Sequence, residues 1–123
     1  MKRFESTEDY LEKILQLSEV KEEVHAVDIA REMSFAKASV SEAMTKLKEQ
    51  GYIEVGSKGA ISLTQTGLEI AQKTLEKHLI LTKMLMGIGV SEETATLDAC
   101  RIEHDISDET WACLKKHAEK MEK

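Results

Sequence analysis

Ala99 to Ser107 reads ACRIEHDIS and holds a thiol, a carboxylate and an imidazole at Cys100, Glu103 and His104. Residues three and four apart share one face of a helix, so these side chains would point the same way. Such a trio is either a set of metal ligands or an accident of packing. Other donors stand apart from it. Asp9 and Glu12 are three apart in an early helical stretch, and His78 lies in a long one. If these helices converge, six ligands could saturate one octahedral ion or be shared between two. Carboxylates suit Mn²⁺, imidazole suits several metals, and thiolate favours Fe²⁺, Co²⁺ or Zn²⁺. The mixed set leans to Fe²⁺ over Mn²⁺. Zn²⁺ usually takes four ligands and could bind a subset in vitro, as could Co²⁺ or Ni²⁺. Taken singly, the Asp9/Glu12 pair also reads as a solvated face and His78 as a surface or core histidine. Cys113, His25 and His117 fit no pattern and receive no role. Trp111 is expected in a core or at a dimer interface.

The elements that must position these groups are mostly helical. The 123 residues contain no proline, 4% aromatics and 41% hydrophobic residues, so the core is built from Leu, Ile, Val, Ala and Met. That length suits one compact domain or two very small ones. The net charge of −6 taken alone argues against nucleic acid, because phosphate binding needs positive charge. Its distribution matters more: residues 1–23 are net −3, 24–67 are neutral and 68–123 are net −3. No apolar run approaches the roughly 20 residues that span a bilayer. The start, MKRFESTEDY, is too charged for a signal peptide, so a cytoplasmic protein is expected. Two cysteines are too few for a disulfide framework and are expected as free thiols.

Ser6 or Thr7 should cap a first helix that carries Tyr10, Leu11, Ile14, Leu15 and Leu17 and runs to about Val20. Short helices follow over Val27–Met33 and Lys37–Leu47, joined by Ser34-Phe35-Ala36, with Gly51 closing the second. The period then changes to two. Tyr52–Val55 and Ala60–Leu63 read as strands around the turn Gly56-Ser57-Lys58-Gly59. A long helix from Thr64/Gln65 to about Met86 comes next, broken by Gly87-Ile88-Gly89. Another should start at Ser91 and carry the opening motif to Ile106, and Ser107-Asp108-Glu109 should begin the last. The fold class is therefore mainly α, with domains expected at 1–67 and 68–123.

Helix, turn, helix and hairpin across 24–67 is the order of a winged helix-turn-helix, whose second helix enters the DNA major groove. Lys37, Ser39, Ser41, Glu42, Thr45 and Lys46 line its exposed face, and Lys58 sits at the wing tip. Hydroxyls and lysines there suit phosphate oxygens, and Glu42 could accept from a cytosine amino group. The same residues would also serve as an ordinary solvated face.

The motifs STEDYLEKI at 6–14, DIAREM and SVSEAM at 28–33 and 39–44, and GYI at 51–53 resemble those of a known family. LTQTG at 63–67, EKH at 76–78 and ACRIEH at 99–104 extend the likeness over nearly the whole chain. The family is that of metal-dependent repressors related to the diphtheria toxin repressor and the manganese transport regulator. The resemblance implies a homodimer with a winged-helix half and a helical metal-binding and dimerisation half. It implies binding to a palindromic double-stranded operator near metal-uptake genes when Fe²⁺ or Mn²⁺ is loaded, and no enzyme activity. By position, Asp9, Glu12, His78, Glu103 and His104 match the manganese-type ligands, whereas Cys100 matches the iron-type branch. Thr82 and Thr96 stand where iron-type members tend to carry an acid and a histidine. Ending at Lys123, the sequence is expected to be a short form without the SH3-like domain of larger relatives. The alternative is a winged-helix regulator answering to a non-metal ligand or a protein partner.

Overall fold

A computed structural model of the chain describes residues 7–121. The elements run α1 (Thr7–Ser18), α2 (Ala26–Met33), α3 (Lys37–Glu49), β1 (Ile53–Val55), β2 (Ile61–Leu63), α4 (Gln65–Gly87), α5 (Glu92–Ile102) and α6 (Asp108–Met121). They fall into two compact units, Lys2–Lys73 and Thr74–Lys123, and each has its own buried cluster. Among the described residues no helix is long and apolar enough to cross a membrane. Cys100 and Cys113 are free.

In the first unit α1 buries Tyr10, Leu11, Ile14 and Leu17, the helical spacing that gives one apolar stripe. Ile29 and Ala30 of α2, Val40, Met44 and Leu47 of α3, Ile53 and Ile61 of the hairpin, Val24 and Ala71 complete the core. Tyr10 meets Phe35 edge to face, with centroids 6.1 Å apart. The first helix stops at Ser18, short of the expected Val20. The Ser18 hydroxyl donates to the Leu15 carbonyl at 2.7 Å, and Glu19 and Val20 close with bonds to Gln16 and Leu17, three residues back. Of the two caps expected, Ser6 lies outside the described residues and Thr7 is the first helical residue.

The turn between α2 and α3 depends on Ser34, which adopts φ 59° and lets Phe35 N–H reach the Ala30 carbonyl. At the far end of α3, Gly51 takes φ 84°. Tyr52 N–H donates to Leu47 O and Gly51 N–H to Lys48 O, which satisfies two carbonyls that the helix end leaves over. This expectation from the sequence is met. The hairpin pairs Ile53 with Leu63, Glu54 with Ser62 and Val55 with Ile61. Tyr52 and Ala60 fall outside the strands. Val24 adds a bridge that the sequence pattern did not show: Ile61 N–H donates to its carbonyl at 2.7 Å.

Two local features set the angles of this unit. The Asp28 carboxylate accepts from the His25 backbone N–H at 2.9 Å and caps the start of α2. Lys21 and Arg31 stand 3.4 and 3.6 Å from its other oxygen. The backbone hydrogen bond, then the nearby Lys21 and Arg31 charges, hold this carboxyl below its ordinary range. Gly67, in the first turn of α4, lies flat against the Tyr52 carbonyl, where any Cβ would collide with backbone. Thr64 caps that turn, accepting from Gly67 N–H and donating to Gly51 O.

The second unit contains the rest of α4 with α5 and α6. Leu81, Ala99 and Trp111 are buried together, with Ile80, Ile102, Ile106 and Leu114 packed around them. Ser91 and Ser107 cap α5 and α6 through the Thr94 and Thr110 amides. Lys77 lies 6.0 Å from the Trp111 ring centroid, and Lys115 pairs with Glu76 at 3.1 Å. The fifth helix ends at Ile102, not Ile106. The chain must reverse into α6, and His104 and Asp105 tighten into bonds to Arg101 and Ile102, three residues back.

Gly67→Ala should lose about 2 kcal/mol of stability in urea unfolding, the cost of forcing a methyl into packed backbone. Asp28→Asn should lose about 1 kcal/mol at pH 7, the usual worth of a helix cap. Because the folded pKa is depressed, Asp28's contribution is present above the unfolded carboxyl range and is lost as pH falls through the folded value. The gap between Asp28→Asn and wild type should therefore close on acidification.

Candidate functional site

The helical unit gathers four of the expected ligands around one carboxylate. Glu103 caps the C-terminus of α5, its N–H bonded to the Ala99 carbonyl, and its side chain is 0% exposed. His78 Nδ1 from α4 and His104 Nε2 from the following turn each stand 3.7 Å from the same Glu103 oxygen. The Cys100, Glu103 and His104 donor atoms lie within 4.8 Å of one another. A separation of 3.7 Å is long for a hydrogen bond. It suits shared coordination, since two atoms each about 2.1 Å from one ion lie roughly 3–4 Å apart. Thiolate, carboxylate and imidazole are all donors to divalent transition metals, so the residues present fit such an ion. Glu103 belongs to both the His78 pair and the Cys100–His104 trio.

The sequence-based picture of this motif needs one correction. Cys100, Glu103 and His104 do not share the face of a continuous helix. Cys100 is helical, Glu103 is the αR cap with its N–H bonded to Ala99, and His104 lies in the turn that follows, bonded to the Arg101 carbonyl.

In the winged unit Asp9 and Glu12 lie three residues apart on α1, and each is 7% exposed. Acids are rarely this buried unless something compensates their charge. Thr82 is half-buried on α4, one turn after His78, and Thr96 is exposed with its hydroxyl donating to Glu92 O at 2.8 Å.

The expected DNA-facing residues are all at the surface. Lys37, Ser39, Ser41, Glu42, Thr45 and Lys46 are exposed on α3, and Lys58 is exposed in the hairpin turn. The Thr45 hydroxyl donates to the Ser41 carbonyl at 3.1 Å. Val40, Met44 and Leu47 anchor the opposite face of the helix in the core. A cleft of about 210 Å³ runs beside Ser39, Glu42 and Lys46 and is closed by Thr7, Tyr10 and Gln50. The sequence reading passed over Thr7 and Gln50 here, and gave His25 no role where it precedes α2 and bonds Asp28. The available signal for His25 was the acid three residues after it, at the start of an apolar run.

Comparison with known proteins agrees with this division. The pattern described as "Iron dependent repressor, N-terminal DNA binding domain" matches residues 3–61. That described as "Iron dependent repressor, metal binding and dimerisation domain" matches residues 64–123. The HTH-type transcriptional regulator MJ0568 of Methanocaldococcus jannaschii is 34% identical over 119 residues, covering 95% of each chain. The transcriptional regulator MntR of Escherichia coli O157:H7 is 32% identical over 118 residues, 96% of this chain and 76% of that protein. The chain belongs to the iron-dependent repressor family. Members of this family are DNA-binding transcriptional regulators, not enzymes. The solved manganese regulator SloR superposes with a TM-score of 0.81 at 29% identity, over 91% of this chain and 53% of that one. A manganese-dependent repressor solved with manganese gives a TM-score of 0.84 at 26% identity, over 92% and 52%. The chain thus spans about half the length of these solved repressors.

A family member with this cluster should be stabilised by metal. At 100 times its Kd a bound ion adds about 2.7 kcal/mol. Differential scanning fluorimetry should show a rise in Tm on adding Mn²⁺ or anaerobic Fe²⁺ to wild type. Glu103→Gln, which neutralises the shared oxygen pair, should show little or none.

Proposed function

We propose that this chain is an Fe²⁺- or Mn²⁺-dependent repressor of metal-uptake genes, acting in the cytoplasm as a homodimer on a palindromic double-stranded operator. One observation carries the metal reading: a fully buried carboxylate with two imidazoles at 3.7 Å and a thiol alongside, in a chain whose other unit is a winged helix. His78, Cys100, Glu103 and His104 are the ligands of the helical unit. Asp9 and Glu12 complete the proposed set. Their support is their burial on α1 and their match to the family's manganese-type pattern. The hybrid of Cys100 with Asp9 and Glu12 draws on both metal branches, and Zn²⁺, Co²⁺ or Ni²⁺ can compete for the same donors in vitro.

A bound divalent ion would add two positive charges to a chain of net charge −6. In the proposed DNA complex, Lys37, Lys46 and Lys58 take phosphates, and Ser39, Ser41 and Thr45 donate hydroxyls. Glu42 accepts from a cytosine amino group in the major groove. Each lysine that meets a phosphate adds about 0.9 to the slope of log affinity against log salt. Linkage makes the effect reciprocal, so operator DNA tightens metal binding by the factor that metal tightens DNA.

Fluorescence anisotropy at fixed salt, with DNA from upstream of the chain's own gene, tests the proposal. Binding is expected with anaerobic Fe²⁺ or Mn²⁺ and not with chelator. Equal binding with chelator and metal would overturn the metal reading in favour of a non-metal effector. Asp9→Ala should need at least tenfold more metal for half-maximal binding. Unchanged metal dependence would remove Asp9 from the ligand set.

A further inference from the structure

A threonine inside a helix commonly turns its hydroxyl back to the carbonyl four residues earlier. Thr45 does so to Ser41 at 3.1 Å and Thr96 to Glu92 at 2.8 Å, and both are exposed. Thr82 of α4 does not. Its Oγ1 is buried and has no hydrogen-bond partner among the described residues. Buried hydroxyls are nearly always partnered, so an orphan of this kind asks for an explanation. Packing does not supply one. Valine has the same shape without the hydroxyl and would fill the place at no polar cost.

The position of Thr82 points to a ligand. It lies one turn after His78, so the two side chains share a face of α4. His78 Nδ1 stands 3.7 Å from a Glu103 oxygen, and Leu81, next to Thr82 in the chain, is buried in one cluster with Ala99 of α5. The unpartnered hydroxyl therefore sits beside the imidazole of the candidate metal cluster, on the helix that carries it. Glu103 is not its partner, since no hydrogen bond joins them.

We infer that Thr82 is a positioning residue of the metal cluster: its hydroxyl holds a water that completes the coordination of a divalent ion at His78 and Glu103. This rests on the metal reading above and adds to it a residue outside the ligand set. Mn²⁺ favours octahedral coordination, and the helical unit brings four donors, His78, Cys100, Glu103 and His104. Water is the usual occupant of a position that side chains leave open on a divalent ion. A cation draws on the oxygen of such a water and turns its hydrogens outward, where the Thr82 oxygen can accept. A neutral hydroxyl does this without adding charge to a cluster that already holds a buried carboxylate.

The test compares wild type, Thr82→Val and Thr82→Ser, each as the full chain, with Mn²⁺ alone. In chelator Thr82→Val should melt at or above the wild-type temperature, because it removes a buried hydroxyl that has no partner and keeps the shape. Its Kd for Mn²⁺ by isothermal titration calorimetry should nevertheless rise about tenfold, the low end of the effect of groups that orient a metal's ligands. Thr82→Ser should keep the wild-type affinity. The electron paramagnetic resonance lines of Mn²⁺ on wild type should broaden in water enriched in the magnetic isotope of oxygen, which reports the bound water directly. Unchanged Mn²⁺ affinity in Thr82→Val, or no such broadening, would overturn the assignment. Lower melting of Thr82→Val in chelator, or equal loss of affinity in both variants, would mark a structural role for the side chain and overturn it too. A wild type that binds no Mn²⁺ would instead overturn the metal reading beneath it.

Discussion

The burial of one carboxylate governs the helical unit. Glu103 is inside the protein with its side chain fully covered. A charge taken from water costs several kcal/mol unless nearby groups compensate it. His78 and His104 are held at equal distances from one of its oxygens, and Cys100 is brought into the same cluster. The helix α5 stops at Ile102, directly before this carboxylate. Beyond it, Ile106 packs against the cluster of Trp111, Leu81 and Ala99. The end of α5 therefore lies at the centre of the candidate metal cluster.

The winged unit is held by backbone constraints of a different kind. Its recognition helix is anchored by Val40, Met44 and Leu47 below, and by the Gly51 closure at its end. The hairpin is tied to the start of α4 where Gly67 meets the Tyr52 carbonyl, and to the segment before α2 through Val24 and Ile61. Asp28 fixes the entry to α2 with one backbone bond and two neighbouring cations. These contacts spend few apolar side chains. They leave the outer face of α3 free to carry lysines and hydroxyls at the surface.

Charge links the two units functionally in the proposed regulator. An acidic protein meets an acidic polymer, so any divalent ion that loads reduces the repulsion as well as occupying a site. The stretch from 24 to 67, which carries α2, α3 and the hairpin, is neutral, and the acid excess lies in residues 1–23, where α1 of the same unit sits, and in 68–123. Overall net charge is thus a poor guide to DNA binding here, because the segment that presents the recognition helix is not where the negative charge resides.

Much of this was legible in the residues themselves. Helical spacing of apolar residues marked α1 and α3, alternation marked the hairpin, and Gly51 marked the end of α3, because these patterns follow from local geometry. The identities of the donor residues were also plain, since ligand chemistry is a property of side-chain type. Tertiary structure decided the rest. That Val24 pairs with Ile61, and that Gly67 is needed against a carbonyl fifteen residues earlier, depends on contacts between distant segments that have no periodic signature. The same holds for His78 and Glu103, which are far apart in sequence and meet only because α4 and α5 pack together. Cys100, Glu103 and His104 were read as one helical face. The structure places Cys100 in the last turn of α5, Glu103 at its cap and His104 in the turn that leads to α6, a helix end that the apolar spacing did not show.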